Sequence, residues 1–369
     1  MPQGSTNGAR VRISVEMICP YEPGKPIEEV KRELGLTRIV KLASNENPLG
    51  PSRHVVDTLN NSDLELHLYP DYEGWYLRCA LAERLGVTEQ HLVTGAGSAE
   101  LMRLVADAYL ERDDEGIVAD ICFPVYANVI RIAGATPVEV PLDDNLDYDL
   151  QRMLDAVTPR TKAVFLASPN NPTGRRIPRA DLIAFLGRLP ERVLCVLDLA
   201  YWEYVEATEA EDPVRLLAEH PNVVLLRTFS KVYGLAGLRI GYALAHPDVT
   251  HWLSRVRLPF STSTAAQVAA RAALEDQPHV QRAVELNRQT RAALTRELSS
   301  LGYPPHASAA NFVLVDFRTD AEGLFQALLR RGIIVRPQRH PRLGRCVRIT
   351  TGTEEQIGML LEAVRAELR

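Results

Sequence analysis

Several large protein classes are excluded by what this chain lacks. Its five cysteines (Cys19, Cys79, Cys122, Cys195 and Cys346) are scattered, odd in number and never in a C-x-x-C pair. Such thiols build neither a disulfide framework nor a zinc knuckle. Cys79, Cys122 and Cys195 lie in apolar runs and read as buried free thiols. None of the nine histidines belongs to an H-E-x-x-H run or neighbours a cysteine pair, so no metal site is expected. A basic excess is missing too: Lys plus Arg is 42 against 47 for Asp plus Glu, a net charge of −5. A chain held to nucleic acid through its phosphates carries the opposite balance, so a small molecule is the expected partner. No run approaches the ~20 apolar residues that span a bilayer. The longest candidate, VLCVLDLAYW, is broken by Asp198. The N-terminal MPQGSTNGARVRIS has no apolar core of a secretory signal, which makes a reducing cytoplasm the expected compartment. No G-K-[ST] is present, and Glu100 stands where a dinucleotide fingerprint needs its third glycine.

What is present is ordinary globular composition, 46% hydrophobic and 24% charged. A proline-dense arm, Pro20-Tyr21-Glu22-Pro23-Gly24-Lys25-Pro26, suits neither helix nor central strand. From about residue 54, helical periods at 75–86, 98–111, 179–189 and 247–257 alternate with strand-like runs. Those runs are 116–121, 135–140, 162–167, 193–198, 222–228 and 238–244. Several are apolar on both faces, as strands covered by helices on each side must be. The alternation predicts an α/β domain around a mostly parallel sheet. After residue 262 come helices at 264–275 and 278–300, a strand at 311–316, a helix at 320–331, strands at 333–336 and 346–350, and a helix from 353. This predicts an N-terminal arm over 1–45, a large domain over 46–262 and a smaller α+β domain over 263–369. Ligands of open α/β sheets collect at the carboxyl ends of strands and between lobes.

Five segments fall where that rule points. Thr228-Phe229-Ser230-Lys231 follows a buried strand, with Gly234, Gly237 and Arg239 close behind. A lysine in a partly dry cleft beside another cation has a depressed pKa and forms Schiff bases. Hydroxyls and an arginine suit a phosphate. Thr94-Gly95-Ala96-Gly97-Ser98 runs from strand into helix and offers an anion cradle. Asp198, at the end of RVLCVL, needs a cationic partner, which a protonated ring nitrogen supplies. Ser168-Pro169-Asn170-Asn171-Pro172-Thr173-Gly174 is a turn presenting an amide, and Tyr126 offers an aromatic face. Each has a bland alternative: a surface lysine, a glycine turn, an N-cap, a core tyrosine. Taken together they describe a binding site for pyridoxal 5′-phosphate.

In this order the segments resemble a fold-type I aminotransferase of class I/II, over roughly residues 18 to 365. The resemblance implies that Lys231 bonds the cofactor and shuttles a proton, and that Asp198 faces the ring nitrogen. It implies that Asn171 and Tyr201 contact the ring oxygen, that Tyr126 stacks on the ring, and that Ala96, Gly97, Ser98, Thr228, Ser230 and Arg239 hold the phosphate. Arg348, in Cys346-Val347-Arg348-Ile349-Thr350-Thr351-Gly352-Thr353, occupies the position of the substrate-carboxylate arginine.

The Tyr21 to Pro26 arm, Lys41-Leu42-Ala43-Ser44-Asn45-Glu46-Asn47-Pro48, Tyr69-Pro70-Asp71, and Arg336 with Arg348 twelve residues on are similar to histidinol-phosphate aminotransferases. This implies Tyr21, Asn47, Asn171, Arg336 and Arg348 as substrate residues, with histidinol phosphate and glutamate or 2-oxoglutarate as substrates. It also implies a homodimer in which Tyr69 reaches the neighbour's cofactor phosphate. Val125, Leu199, Ser261, Tyr72 and Trp75 depart from the family pattern, and the bulky Tyr72 and Trp75 bear on the pocket rim. An aromatic amino-acid aminotransferase and an amino-acid-phosphate decarboxylase share these motifs and stay open as alternatives.

Overall fold

The computed structural model describes residues 10–18, 20, 24–206, 208 and 212–368. Among them, seven strands make the large sheet: β2 (Leu92–Gly95), β3 (Glu115–Ala119), β4 (Thr136–Val140), β5 (Thr161–Ala167), β6 (Leu194–Asp198), β7 (Val223–Thr228) and β8 (Gly241–Ala245). β1 is the two-residue strand Val40–Lys41, outside this sheet. The order across the large sheet is β2-β8-β7-β6-β5-β3-β4. β8 is antiparallel to both β2 and β7, and the remaining pairs are parallel. β2 therefore runs with the parallel strands, and Gly95, Ala167, Asp198 and Thr228 leave the sheet along one edge.

The central strands are buried along their whole length because apolar residues point both ways. Val164, Leu166, Cys195, Leu197 and Leu225 feed one core, and Val118, Phe165, Val196, Val224 and Leu226 the other. β8 begins three residues later than the expected run because Ala236–Leu238 form a 3-10 turn and Arg239 takes a left-handed φ of 55°. Thus Arg239 turns back over the strand ends instead of extending the strand.

A second sheet, ordered β11-β12-β9, comprises Arg336–Pro337, Cys346–Thr350 and Phe312–Asp316. The expected single strand at 333–336 is two. β10 (Ile333–Ile334) pairs in parallel with β1, and only β11 joins β12. Val30, Val40, Leu42 and Ala43 enter the core of this smaller unit.

The helix Thr264–Glu275, expected to open the small domain, buries Ala266, Ala269, Ala270 and Ala273 in the large unit's core. The following helix, Gln277–Ser300, gives Ala283 to that core and Leu294 and Leu298 to the small one. The change of core thus falls inside this helix and not at residue 262. Cys195 and Cys346 are buried and Cys79 and Cys122 half-buried free thiols, while Cys19 lies outside the described residues. No helix among the described residues is long and apolar enough to cross a membrane. No cluster of three or more His, Cys, Asp or Glu able to hold a metal occurs among them.

Candidate active site

β7 carries the chain to the edge where Phe229, fully buried, plugs the core and Lys231 turns into the cleft. Lys231 Nζ donates to the Ser44 carbonyl at 3.2 Å. Burial first, and then the Arg348 guanidinium, bring its pKa down from 10.5 to about 8, against the upward pull of Glu46 and Asp198. Close to neutrality this amine is therefore partly unprotonated, as a nucleophile or proton carrier must be.

Asp198 ends β6 and is 6% exposed. Burial lifts its carboxyl from 3.8 to about 6, while bonds from Tyr126 and the Ala200 N–H hold it down. The Tyr126 hydroxyl donates to Oδ2 at 2.7 Å and the Ala200 N–H to Oδ1 at 3.0 Å. An anion kept in a buried place by two donors awaits a cation. Tyr126 differs from its expected role. Its ring lies against Phe165 (centroids 5.9 Å, 21°), it is 1% exposed, and its hydroxyl is spent on Asp198. The start of the helix Val125–Ala133 drops the side chain onto the sheet, so the contact it makes is with the carboxylate.

The turn after β5 separates its two asparagines. Asn170 is structural, bonding the Ile121 carbonyl at 3.0 Å and accepting from Tyr148 at 3.1 Å. Asn171 faces the cleft, where its Oδ1 accepts from Arg348 Nη1 at 2.5 Å. Tyr201 accepts from Asn45 Nδ2 at 2.9 Å, and its ring centre lies 5.6 Å from Lys231 Nζ.

Thr228, Ser230 and Arg239 converge: the Thr228 hydroxyl donates to Ser230 Oγ at 2.9 Å, and Arg239 Nη1 donates to the same oxygen at 3.2 Å. Gly97 has φ 83°, and a Cβ there would lie 2.4 Å from Arg239 Nη2. Only glycine lets the guanidinium lie across this loop. The helix Ser98–Tyr109 starts after Gly97, no side chain caps it, and Ser98 is its first residue. Ala96 differs from a simple anion donor. Its N–H is bonded by the Glu100 carboxylate and its carbonyl accepts from Arg239 Nη2, so it orients the arginine.

Arg336 and Arg348 are register partners on β11 and β12 and so share one face of the small sheet. Like charges directly opposite cost roughly 0.2–1 kcal/mol, which a shared anion reverses. Asn47, expected on substrate, is engaged internally: Nδ2 donates to the Val232 carbonyl at 2.7 Å and Oδ1 accepts from the Leu49 N–H at 3.0 Å. Its effect is to brace the backbone next to Lys231. Tyr69 is 82% exposed and stacks on Phe260 (4.5 Å, 19°). Tyr21 lies outside the described residues. Three site residues went unrecognised in the sequence, Ala43, Ser44 and Asn45, although the Leu-Ala-Ser-Asn-Glu-Asn run contains them. The one signal the sequence holds there is the asparagine itself, a residue that tolerates the left-handed conformation, and Asn45 takes φ 56°.

The family model for aminotransferases of class I and II matches residues 37–364. The chain belongs to this aminotransferase family. A histidinol-phosphate aminotransferase of Bacillus velezensis is 44% identical over 347 residues, covering 94% of this chain and 96% of that one. One from Moorella thermoacetica is 43% identical over 357 residues, 96% and 92% of the two chains. The crystal structure of the histidinol-phosphate aminotransferase of Sinorhizobium meliloti in complex with pyridoxal 5′-phosphate superposes with a TM-score of 0.90 at 30% identity, covering 98% of this chain and 99% of that one. Within this aminotransferase Tyr72 lines a small cleft together with Arg78, Leu92 and Arg257. Its ring packs 4.5 Å from the Arg257 guanidinium, which also bonds Thr94 just before the Ala96–Gly97 loop. Trp75 is half exposed at the start of the helix Trp75–Leu85.

Proposed function

We propose that this aminotransferase binds pyridoxal 5′-phosphate and moves the amino group of histidinol phosphate to 2-oxoglutarate. The products are imidazole acetol phosphate and glutamate. The observation that carries the substrate reading is the in-register arginine pair, Arg336 facing Arg348, beside Asn171 and Lys231. Histidinol phosphate has no α-carboxylate. Its phosphate and the carboxylates of glutamate must in turn satisfy the same two guanidiniums, which bind either anion in a fork. The full-length likeness to two histidinol-phosphate aminotransferases supports the same reading.

The donor set fits the cofactor. The Thr228 and Ser230 hydroxyls, Arg239 and the uncapped helix start at Ser98 form a phosphate cradle that glycine alone permits at residue 97. Asp198 would stand opposite the ring nitrogen as its counter-charge, and Asn171 and Tyr201 would face the ring oxygen. When bound, the cofactor supplies an electron-withdrawing ring that accepts the electron pair released as the amine's Cα–H bond breaks. Lys231 Nζ takes that proton and holds it until it is returned, which its lowered pKa makes possible near neutral pH. Arg348, fixed by the Ala43 carbonyl and Asn171, orients the substrate anion. Tyr126, through its hydrogen bond, keeps Asp198 charged.

Leu66, Leu68, Tyr69, Tyr76, Leu258 and Phe260 are exposed apolar side chains. We read them as the seat of a second copy, with Tyr69 extending to the neighbour's cofactor phosphate.

The deciding test is a single-turnover absorbance experiment on the cofactor-loaded protein. Histidinol phosphate should bleach the lysine-bound cofactor rapidly at low concentration, with phenylalanine slow. Faster conversion by phenylalanine would make the chain an aromatic amino-acid aminotransferase, and release of carbon dioxide from an amino-acid phosphate would make it a decarboxylase. Arg336→Ala should weaken histidinol phosphate more than glutamate, and equal losses would remove that division of labour.

A further inference from the structure

Three consecutive residues beneath the site each hold a different group. The Ala43 carbonyl accepts from Arg348 Nη2 at 2.5 Å, the Ser44 carbonyl accepts from Lys231 Nζ at 3.2 Å, and Asn45 Nδ2 donates to the Tyr201 oxygen at 2.9 Å. Of the three, only Asn45 acts through its side chain. It is 1% exposed and takes a φ of 56°.

Its amide is oriented by the small unit. Thr350 Oγ1 accepts from the Asn45 N–H at 3.0 Å and donates its single proton to Asn45 Oδ1 at 2.9 Å. The Asn45 carbonyl in turn accepts from Asn311 Nδ2 at 3.0 Å. With the acceptor end of the amide occupied by Thr350, the NH₂ end is the one presented to Tyr201. Thr350 lies two residues beyond Arg348 on β12. One side chain therefore joins the strand of the substrate arginine to the phenol beside Lys231.

We infer that Asn45 is a positioning residue for Tyr201: by donating to the phenol oxygen it turns the hydroxyl's proton away from itself, so that the phenol serves the ring oxygen of the cofactor as a donor. This rests on the reading that Tyr201 faces that oxygen. An oriented donor stabilises negative charge on the ring oxygen and so lowers the pH at which the lysine-bound cofactor gives up its proton. Without Asn45 the hydroxyl loses this constraint, and part of that effect is lost.

The experiment is a pH titration of the visible absorbance of the loaded protein in four forms: parent, Asn45→Gly, Tyr201→Phe and the double variant. Glycine accepts the positive φ, so the backbone is kept. Asn45→Gly should raise the titration midpoint by roughly half to one pH unit, about the worth of one neutral hydrogen bond. The shift should vanish when Tyr201 is already phenylalanine, because the two act through one interaction. Cofactor-free Asn45→Gly should melt within about 6 °C of the parent, since the two buried side-chain hydrogen bonds to Tyr201 and from Thr350 are at stake. A Tyr201→Phe protein without any shift would overturn the reading of Tyr201 and this inference with it. A shift in Tyr201→Phe with none in Asn45→Gly, or an equal shift from Asn45→Gly in both backgrounds, would overturn the role of Asn45 alone. Should Asn45→Gly fail to fold, Asn45→Asp answers the same question: its charge effect survives in the Tyr201→Phe background, and only the part that disappears there counts for Asn45.

Discussion

In the protein without cofactor, Lys231 is a half-buried amine beside guanidinium groups, and this has a cost that can be measured. Burial above all, with Arg348 second, lowers its pKa from 10.5 to about 8. A fall of that size corresponds to about 3 kcal/mol of penalty on the charged form. Because Lys231 is half-buried, solvent reduces this to about 2 kcal/mol. The sign follows from proton counting. Below pH ~8 the lysine is protonated in both states, but its charge is costlier in the folded one, and the penalty is complete. Between pH ~8 and ~10.5 the unfolded chain holds the proton that the folded chain has released, so stability rises with pH. Above that range the penalty is gone. Lys231→Met keeps the length of the side chain and removes the charge. The cofactor-free variant should therefore exceed the parent by about 2 kcal/mol near neutral pH, several degrees in melting temperature. The advantage should close as the pH approaches the ordinary lysine value, leaving only the contribution of methionine packing. Thermal and urea denaturation of both proteins across this range is the assay. A gain of equal size at every pH, or no gain at neutral pH, would refute the claim that a suppressed lysine charge lies at the bottom of the site.

Other perturbations test the remaining contacts. Tyr126→Phe removes the 2.7 Å bond to Asp198. In the cofactor-free protein the carboxyl should rise above its value of about 6, and in the loaded enzyme, where Asp198 must stay charged against the ring nitrogen, kcat should fall roughly tenfold. An unchanged kcat would detach Tyr126 from the chemistry. Gly97→Ala pushes a methyl against Arg239 and imposes a positive φ on alanine, so cofactor affinity, followed by fluorescence titration, should fall at least about tenfold. Arg348→Lys loses the fork that bonds Ala43 and Asn171 together, and kcat/KM for glutamate should drop on the order of 100-fold. A drop below about threefold would place the substrate anion elsewhere.

The α/β architecture and the strand ends that carry the candidate site were legible because they depend on local pattern. GIVADI, KAVFLA and RVLCVL are apolar on both faces and became β3, β5 and β6. The lysine, the aspartate and the glycine loop each sit where a strand ends, and strand ends can be read from hydrophobicity alone. What could not be read is pairing across distance. Nothing local distinguishes Asn47 bonding Val232 from Asn47 bonding a substrate, or tells that Tyr126 turns to Asp198 across 72 residues. The split of 333–336 into β10 and β11 follows from two partner strands, β1 and β12, which lie far away in the chain.

By itself, then, the order of residues determined which elements form, which of their ends carry reactive groups, and that two arginines stand twelve residues apart. These are consequences of period, propensity and residue chemistry within a few turns of chain. Tertiary structure alone decided that the arginines face each other in register, and that residues 43 to 45 hold Arg348, Lys231 and Tyr201 in one line. The pKa of Lys231 belongs to the same category, because desolvation and the field of Arg348 exist only once the two units have packed together.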